Sequence, residues 1–358
     1  MAHHTACQEN TPLGAYIHIP FCRSRCPYCD FVSNAIPGAV PGEFLDALCD
    51  EILHFNSPTE LTSIFIGGGT PSLLTSGQMK KLLDTFTKTF VLDGVEITVE
   101  ANPDDITVAK AKSWRDMGVN RVSLGAQSFN NAALRYLGRR HRAAKARHAA
   151  EIIANYFDNW NMDLIFGAPP AKAWEMTLKT ALEYKPPHIA TYSLVHEPAT
   201  AFGTGPPFFD DDAMLGFYEQ AANALTQYDH YEISNFAQPG RQCRHNLLYW
   251  RNEEYVGFGP GAYSYLSGKR MRNTRELEKY LKTPGRKERM ERLGKREQQV
   301  ETLIQHFRLR TGILEQYYEQ RFGEPVDAAF AEALDALLRR GLLHRLSLIH
   351  ISEPTRPY

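Results

Sequence analysis

An α/β fold built on a parallel sheet is predicted by three features of this 358-residue chain. Short β-rich runs recur at intervals of roughly 25 to 50 residues, and helical stretches with one apolar face fall between them. Glycine-rich and polar residues (Gly67, Gly68, Gly69, Glu100, Gln127) gather at or just after the ends of those runs, where parallel α/β architectures assemble their sites.

The elements follow in order. Residues 14–19 form the first strand, ended by Pro20, and 43–55 the first helix, with apolar residues at three- and four-residue spacing. Strand 61–66 and helix 78–90 repeat the unit, then strands 95–100 and 121–126, helix 143–156, strand 162–166, helix 174–184, strand 189–194 and helix 213–228. Strand, helix, strand in this sequence requires parallel pairing with crossover helices. An open doubly wound sheet and a closed or partial barrel both satisfy it.

The pattern changes after residue 240. A turn-rich aromatic stretch, CRHNLLYWRNEEYVGFGPGAYSYL, leads into a basic run over 282–296 and then helical segments at 300–307 and 327–340. The basic run is expected to be a solvated linker and helix face. The expected organisation is an N-terminal tail (1–11), an α/β core (12–240), a smaller, mainly helical second domain (241–345) and a C-terminal stretch (346–358) that breaks the helical period. That stretch, LSLIHISEPTRPY, resembles translated sequencing-adapter read-through, in which case it is not native; the alternative is a natural frayed tail.

Composition bounds the function. With 43% hydrophobic and 23% charged residues the chain can bury a large core, which excludes disorder as its main state. Forty Lys and Arg against 41 Asp and Glu leave a formal charge of −1, without the electrostatic footprint of a nucleic-acid binder. The run Arg139-Arg140-His141-Arg142 is too small to change that. No run of 18 apolar residues occurs and the start MAHHTACQEN has no apolar segment, so a cytoplasmic protein without a transmembrane segment is expected.

Six cysteines are too few for a disulfide scaffold of this length, yet Cys22, Cys26 and Cys29 fall within eight residues. Cys7, Cys49 and Cys243 are scattered and read as ordinary thiols. Three thiolates on one loop supply three of the four ligands of an iron–sulfur cluster and leave one iron open. A structural zinc site would want a fourth Cys or His with paired spacing, and His18 on the preceding strand is poorly placed for it. In Gly67-Gly68-Gly69-Thr70-Pro71, consecutive glycines let the backbone approach a ligand closely; taken alone they equally describe a tight turn. Glu100, ending the third strand, is either a carboxylate for ribose hydroxyls or an ammonium group, or a helix-entry charge.

The spacing Cys22-Arg-Ser-Arg-Cys26-Pro-Tyr-Cys29 after the first strand resembles the CxxxCxxC signature of the radical S-adenosylmethionine (radical SAM) superfamily. The resemblance implies a partial (β/α)6 TIM-like barrel, a [4Fe–4S] cluster on the three cysteines, and S-adenosylmethionine chelated to the open iron. It also implies an electron donor of the flavodoxin or ferredoxin kind. Family positions that contact the nucleotide match Tyr16, Tyr28, Gly68, Gly69, Thr70, Glu100, Gln127, Arg139 and Asp163.

Within the superfamily, YIHIPFCRSRCPYCDF, GGGTPS, VEANPD, LGAQSFN, LGRRH, MDLIFGAP and YEISNFA resemble the oxygen-independent coproporphyrinogen III oxidase branch over roughly residues 14 to 265. That branch contains a dehydrogenase, which oxidatively decarboxylates porphyrinogen propionates, and heme chaperones, which bind heme and pass it to acceptor proteins. The dehydrogenase carries a further cysteine two places after the third, where this chain has Phe31; the chaperones carry HNxxYW, present as His245-Asn-Leu-Leu-Tyr249-Trp250. The resemblance therefore implies a heme chaperone, with His245 and Tyr249 as heme contacts and Cys243 as an alternative thiolate ligand.

Overall fold

The computed structural model describes residues 12–55, 59–347 and 350–352. The N-terminal tail, and residues 348–349 and 353–358 of the C-terminal stretch, lie outside the described residues.

Six strands, β1 (Leu13–Ile19), β2 (Leu61–Gly68), β3 (Glu96–Ala101), β4 (Arg121–Gln127), β5 (Trp160–Phe166) and β6 (His188–Ser193), lie side by side in chain order, all parallel. This is the partial barrel the resemblance implies. Alternation along each strand separates two environments. On β1, Ala15, Ile17 and Ile19 are fully buried under the helices, whereas Tyr16 and His18 sit on the other face, towards the lumen. The same alternation lines the lumen with Ser63, Glu96, Glu100, Arg121, Ser123, Asn161 and Asp163 while Ile64, Val99, Val122, Leu124 and Met162 pack outward.

The outer layer is α1 (Gly42–Leu53), α2 (Ser76–Thr89), α3 (Val108–Asp116), α4 (Asn131–Tyr136), α5 (Ala143–Tyr156), α6 (Lys172–Glu183) and α7 (Asp211–Ala224). Helix α2 opens on a capping box between Thr75 and Gln78. Helix α3, the crossover between β3 and β4, is absent from the sequence reading because VAKAKSWRD shows little apolar periodicity; it is held by Ala111 and the fully buried Trp114.

The sheet also runs across the 240/241 boundary drawn from the change in sequence pattern. At one edge β8 (Asn235–Ala237) pairs antiparallel with β6, and β7 (Asp229–Glu232) antiparallel with β8. At the other edge β9 (Glu254–Phe258) pairs parallel with β1, and β10 (Tyr263–Leu266), β11 (Lys269–Asn273) and β12 (Lys287–Arg292) follow antiparallel, giving a 12-stranded sheet ordered β12-β11-β10-β9-β1-β2-β3-β4-β5-β6-β8-β7. The basic run thus contains an edge strand, whose exposed charges discourage further pairing. Glu51 of α1 fastens this flank by accepting from Gly259 N (2.8 Å), Asn273 Nδ2 (2.6 Å) and the Tyr280 hydroxyl (2.6 Å) of α9 (Leu277–Lys282).

A second apolar cluster of Leu303, Ile313, Tyr318, Val326, Leu334 and Leu343 gathers α10 (Lys295–His306), α11 (Glu315–Phe322) and α12 (Val326–Arg339) around a small sheet of β13 (Ile313–Leu314), β14 (His344–Ser347) and β15 (His350–Ser352). The remaining helix, α8 (Arg244–Trp250), closes the barrel at the strands' N-terminal ends. Among the described residues no helix is long and apolar enough to cross a membrane.

Candidate functional site

The cysteine loop leaves the C-terminal end of β1. Phe21–Cys22 pairs in parallel with Asn34–Ala35, which folds the intervening residues into a closed loop. A turn with Cys29 N donating to Cys26 O (3.2 Å) shapes its tip, and Arg25 Nε donates to Cys29 O (3.2 Å). From the lumen, His18 Nε2 donates to Val32 O (2.7 Å) while its Nδ1 accepts from the Tyr16 hydroxyl (3.0 Å). All three thiols are half-buried.

The glycine loop at the end of β2 packs directly on this structure. Gly68 has φ 108°, and a Cβ there would lie 2.6 Å from His18 Nδ1. Gly69 donates its amide to Ile19 O (2.8 Å), and a Cβ on it would lie 2.6 Å from Phe21 O. Glycine is therefore required here by the cysteine loop itself, before any ligand is considered.

A polar arc joins two of the sulfurs. Arg139 Nη1 donates to Cys26 Sγ (3.6 Å) and its Nη2 to Asn102 Oδ1; Asn102 Nδ2 donates to Thr70 Oγ1 (3.2 Å), and Thr70 Oγ1 donates to Cys22 Sγ (3.4 Å). Arg139 also donates to Gly125 O (3.2 Å) and lies against the Tyr28 hydroxyl. Burial pushes the Cys22 and Cys29 thiols up, and at Cys22 the Thr70 hydrogen bond opposes it. Donors aimed at sulfur favour thiolate and tune a bound cluster.

Two carboxylates face the same mouth. Among the described residues Glu100 accepts from Gly68 N alone (3.1 Å), and burial, reinforced by the charge of Asp163, pushes it up to about 8. Asp163 accepts from Ser123 Oγ (2.8 Å) and Asn161 Nδ2 (2.7 Å); burial raises it too. Asn161 Oδ1 in turn accepts from His188 Nδ1 (2.6 Å), whose Nε2 meets the Tyr231 hydroxyl (2.9 Å). Gln127 ends β4 with φ 62°, a left-handed conformation that costs a side-chain-bearing residue about 1–3 kcal/mol and marks a constrained site.

The structure thus brings Cys22, Cys26, Cys29, Tyr28, Gly68, Gly69, Thr70, Glu100, Gln127, Arg139 and Asp163 to the mouth. Tyr16 lies one layer below, its ring beside those of Phe65 and His245 with centroids 6.3 and 6.4 Å away. Sequence reasoning missed Asn102 and His18, although each stands in a motif it singled out, VEANPD and YIHIPFC.

His245 and Tyr249 are not part of this group. Spaced i and i+4 on α8, they share one helix face, and that face plugs the barrel floor. His245 is 1% exposed; its Nδ1 meets Ser63 Oγ (2.8 Å), its Nε2 the Tyr249 hydroxyl (2.9 Å), and its ring stacks on Phe65 at 5.3 Å. Burial, then the Arg121 charge, pushes it down to about 3. The heme-facing imidazole expected from HNxxYW is instead a neutral ring with both nitrogens engaged. Cys243 is also fully buried, its Sγ donating to Glu96 Oε1 (3.7 Å), and burial pushes the thiol up to about 12.

The half-barrel, its triple-cysteine loop and the glycine loop packed on it define a radical SAM core. The profile of the Radical SAM superfamily matches residues 16–180, and that of the HemN C-terminal domain residues 293–347. The chain is 37% identical over 357 residues to the heme chaperone HemW of Lactococcus lactis subsp. lactis (strain IL1403), covering 96% of this chain and 94% of that protein. It is 41% identical over 278 residues to the heme chaperone HemW of Escherichia coli (strain K12), covering 74% of each. Among solved structures it superimposes on the Escherichia coli coproporphyrinogen III oxidase HemN, a radical SAM enzyme, with TM-score 0.82 at 22% identity, over 96% of this chain and 87% of that one. The chain belongs to the HemW family.

Proposed function

We propose that this protein is a cytoplasmic heme chaperone with a radical SAM core, which binds heme and delivers it to an acceptor protein. The observation that carries the cofactor part is the polar arc from Cys26 through Arg139, Asn102 and Thr70 to Cys22. It directs a cation and a hydroxyl at two of three clustered sulfurs, a donor set that fits a [4Fe–4S] cluster on Cys22, Cys26 and Cys29. Three thiols on one loop, with no fourth Cys or His at paired spacing, suit a polynuclear cluster better than zinc.

When bound, such a cluster supplies one-electron chemistry and an iron corner for the methionine end of S-adenosylmethionine. The protein's residues do the positioning. Glu100 and Asp163 would accept from the ligand's ammonium and hydroxyl groups, Arg139 and Tyr28 would hold the cluster loop, and Gly68, Gly69 and Thr70 would let the ligand approach. Gln127, at the end of β4, would contact the nucleotide. Tyr16 is a positioning residue: its hydroxyl fixes the His18 tautomer that clamps Val32. Reduction calls for an electron donor such as a flavodoxin or ferredoxin.

The coproporphyrinogen dehydrogenase alternative has the shared fold in its favour, while Phe31, 61% exposed, stands where that enzyme's additional cysteine is expected. Anaerobic reconstitution followed by iron and sulfide counting and hemin titration tests the proposal: about four irons and one hemin per chain are expected. Zinc in place of iron, or no hemin binding, refutes it. Restored anaerobic porphyrin synthesis in a deficient strain would favour the dehydrogenase.

A further inference from the structure

His245 has both ring nitrogens engaged within the floor, on Ser63 and Tyr249. A cavity of about 610 Å³ opens beyond the C-terminal ends of β5 and β6, between α7 and residues 307–310 of the C-terminal unit, a volume within the range of roughly 300–1,000 Å³ typical of cofactor sites. Its walls include Phe166, Leu194, Phe208, Phe209, Leu215 and Leu309. We infer that this cavity is the heme seat, with His196 Nε2 as an iron ligand and Arg310 opposite a propionate; the inference deepens the heme chaperone reading and rests on it.

Three observations carry it. First, His196 lines the cavity and its Nδ1 lies 3.1 Å from Phe202 O. A carbonyl only accepts, so Nδ1 carries the proton and Nε2 presents its lone pair. Metal-ligating histidines adopt this arrangement, the distal N–H fixed on a carbonyl. His245 has no such free nitrogen.

Second, the charge pattern suits a flat apolar ligand with an anionic edge. Arg308 and Arg310 line the cavity. Arg308 is committed, 4.3 Å over the Trp250 ring and 3.5 Å from Glu232. The exposed Arg310 guanidinium has no hydrogen-bond or ion-pair partner among the described residues. Asp211 and Asp212 line the α7 side, so like-charge repulsion turns a propionate edge away from α7 and towards Arg310. Val195 and Phe208, 51% and 60% exposed, give the rim an apolar face for the porphyrin.

Third, the seat is tied to the cysteine loop. The carbonyl of Phe202 holds His196, and its amide donates to Pro27 O (3.1 Å), next to Cys26. Two hydrogen bonds through one residue separate the heme ligand from the cluster loop. Sequence reading passed over His196 because a lone histidine in a loop carries no spacing signal.

The test is an anaerobic hemin titration of the full chain with its cluster reconstituted, comparing wild type, His196→Ala, His196→Asn and Arg310→Ala, and using hemin dimethyl ester as a second probe. His196→Asn retains a donor for Phe202 O and removes the iron ligand; iron, sulfide and circular dichroism check that each variant is folded. Both His196 variants are expected to shift the Soret spectrum and weaken hemin binding roughly ten-fold or more. Esterification should weaken binding to wild type and make no difference to Arg310→Ala. Wild-type hemin binding with an unchanged spectrum and affinity in both His196 variants overturns the heme seat and leaves the chaperone reading intact. If wild type binds no hemin, the chaperone reading itself falls, and the seat with it.

Discussion

The two ends of the barrel use the same residue types to opposite ends. At the floor, Glu96 accepts from the amides of Arg244 (3.0 Å) and His245 (3.4 Å) at the start of α8, and His245 spends both nitrogens on Ser63 and Tyr249. At the mouth, Glu100 has one amide partner and is pushed up to about 8, the thiols are half-buried, and Gln127 is held left-handed. The difference shows that a polar side chain in a lumen is structural when its hydrogen-bonding capacity is filled by the fold, and available for ligands when it is not.

The sharpest way to break this comparison is at the cysteines. Cys22→Ala should cut iron and sulfide loading by more than the roughly 10- to 100-fold typical of outer-shell changes, with little loss of secondary structure by circular dichroism. Full loading of that variant would remove the mouth as the cluster site. His245→Ala should show the converse: about 3–5 kcal/mol lost in urea unfolding, from a buried cavity and two broken hydrogen bonds, with iron content and hemin spectrum unchanged. A stable variant with altered hemin binding would give the floor a ligand role.

Acid should act next, through the buried histidines of the floor, the mouth and α10. Burial pushes His245 down to about 3 and His141 and His306 to about 4, all below the unfolded value of 6.5. The unfolded chain therefore binds more protons below pH 6.5, so stability is complete above that pH and is lost as pH falls towards 4. The expected loss is about 1.4 kcal/mol per histidine per pH unit. Denaturation midpoints followed from pH 7 to 4.5 measure this slope, and its reduction in His245→Ala gives the floor's share; a flat wild-type profile would contradict the burial of all three neutral rings.

The smallest effect belongs to the mouth. A carboxyl pushed up to about 8 must lose its proton to pair with a cationic ligand. S-adenosylmethionine affinity should rise by up to about ten-fold per pH unit until pH 8 and level off above it. Glu100→Gln should flatten that rise, and calorimetry in buffers of different ionisation enthalpy should show proton release for wild type only. An identical pH profile for the variant would separate Glu100 from the ligand.

Much of the fold was legible because it rests on local regularities. Apolar spacing marks α1, α2 and α5 to α7, and β-rich runs bounded by turns mark all six barrel strands. Helix α3 escaped because a short crossover needs only Ala111 and Trp114 to anchor it. Strands β9 to β12 escaped because an aromatic, turn-rich stretch does not disclose that the edge of β1 is free to accept a partner. The site divides likewise: three cysteines and a glycine loop are visible as spacing, whereas Asn102 becomes functional only because it bridges Thr70 and Arg139.

By itself, the sequence determined the repeated strand–helix unit, the trio of thiols and their placement after the first strand, since these depend on periodicity and separations along the chain. Only the tertiary structure decided which polar groups were left with free capacity. It folded HNxxYW into the floor, closed both nitrogens of His245, and set His196 in a cavity wall with its Nδ1 on the Phe202 carbonyl. The reason is that hydrogen-bond satisfaction is a property of neighbours brought together from distant segments, such as Ser63 against His245, and no local pattern encodes it.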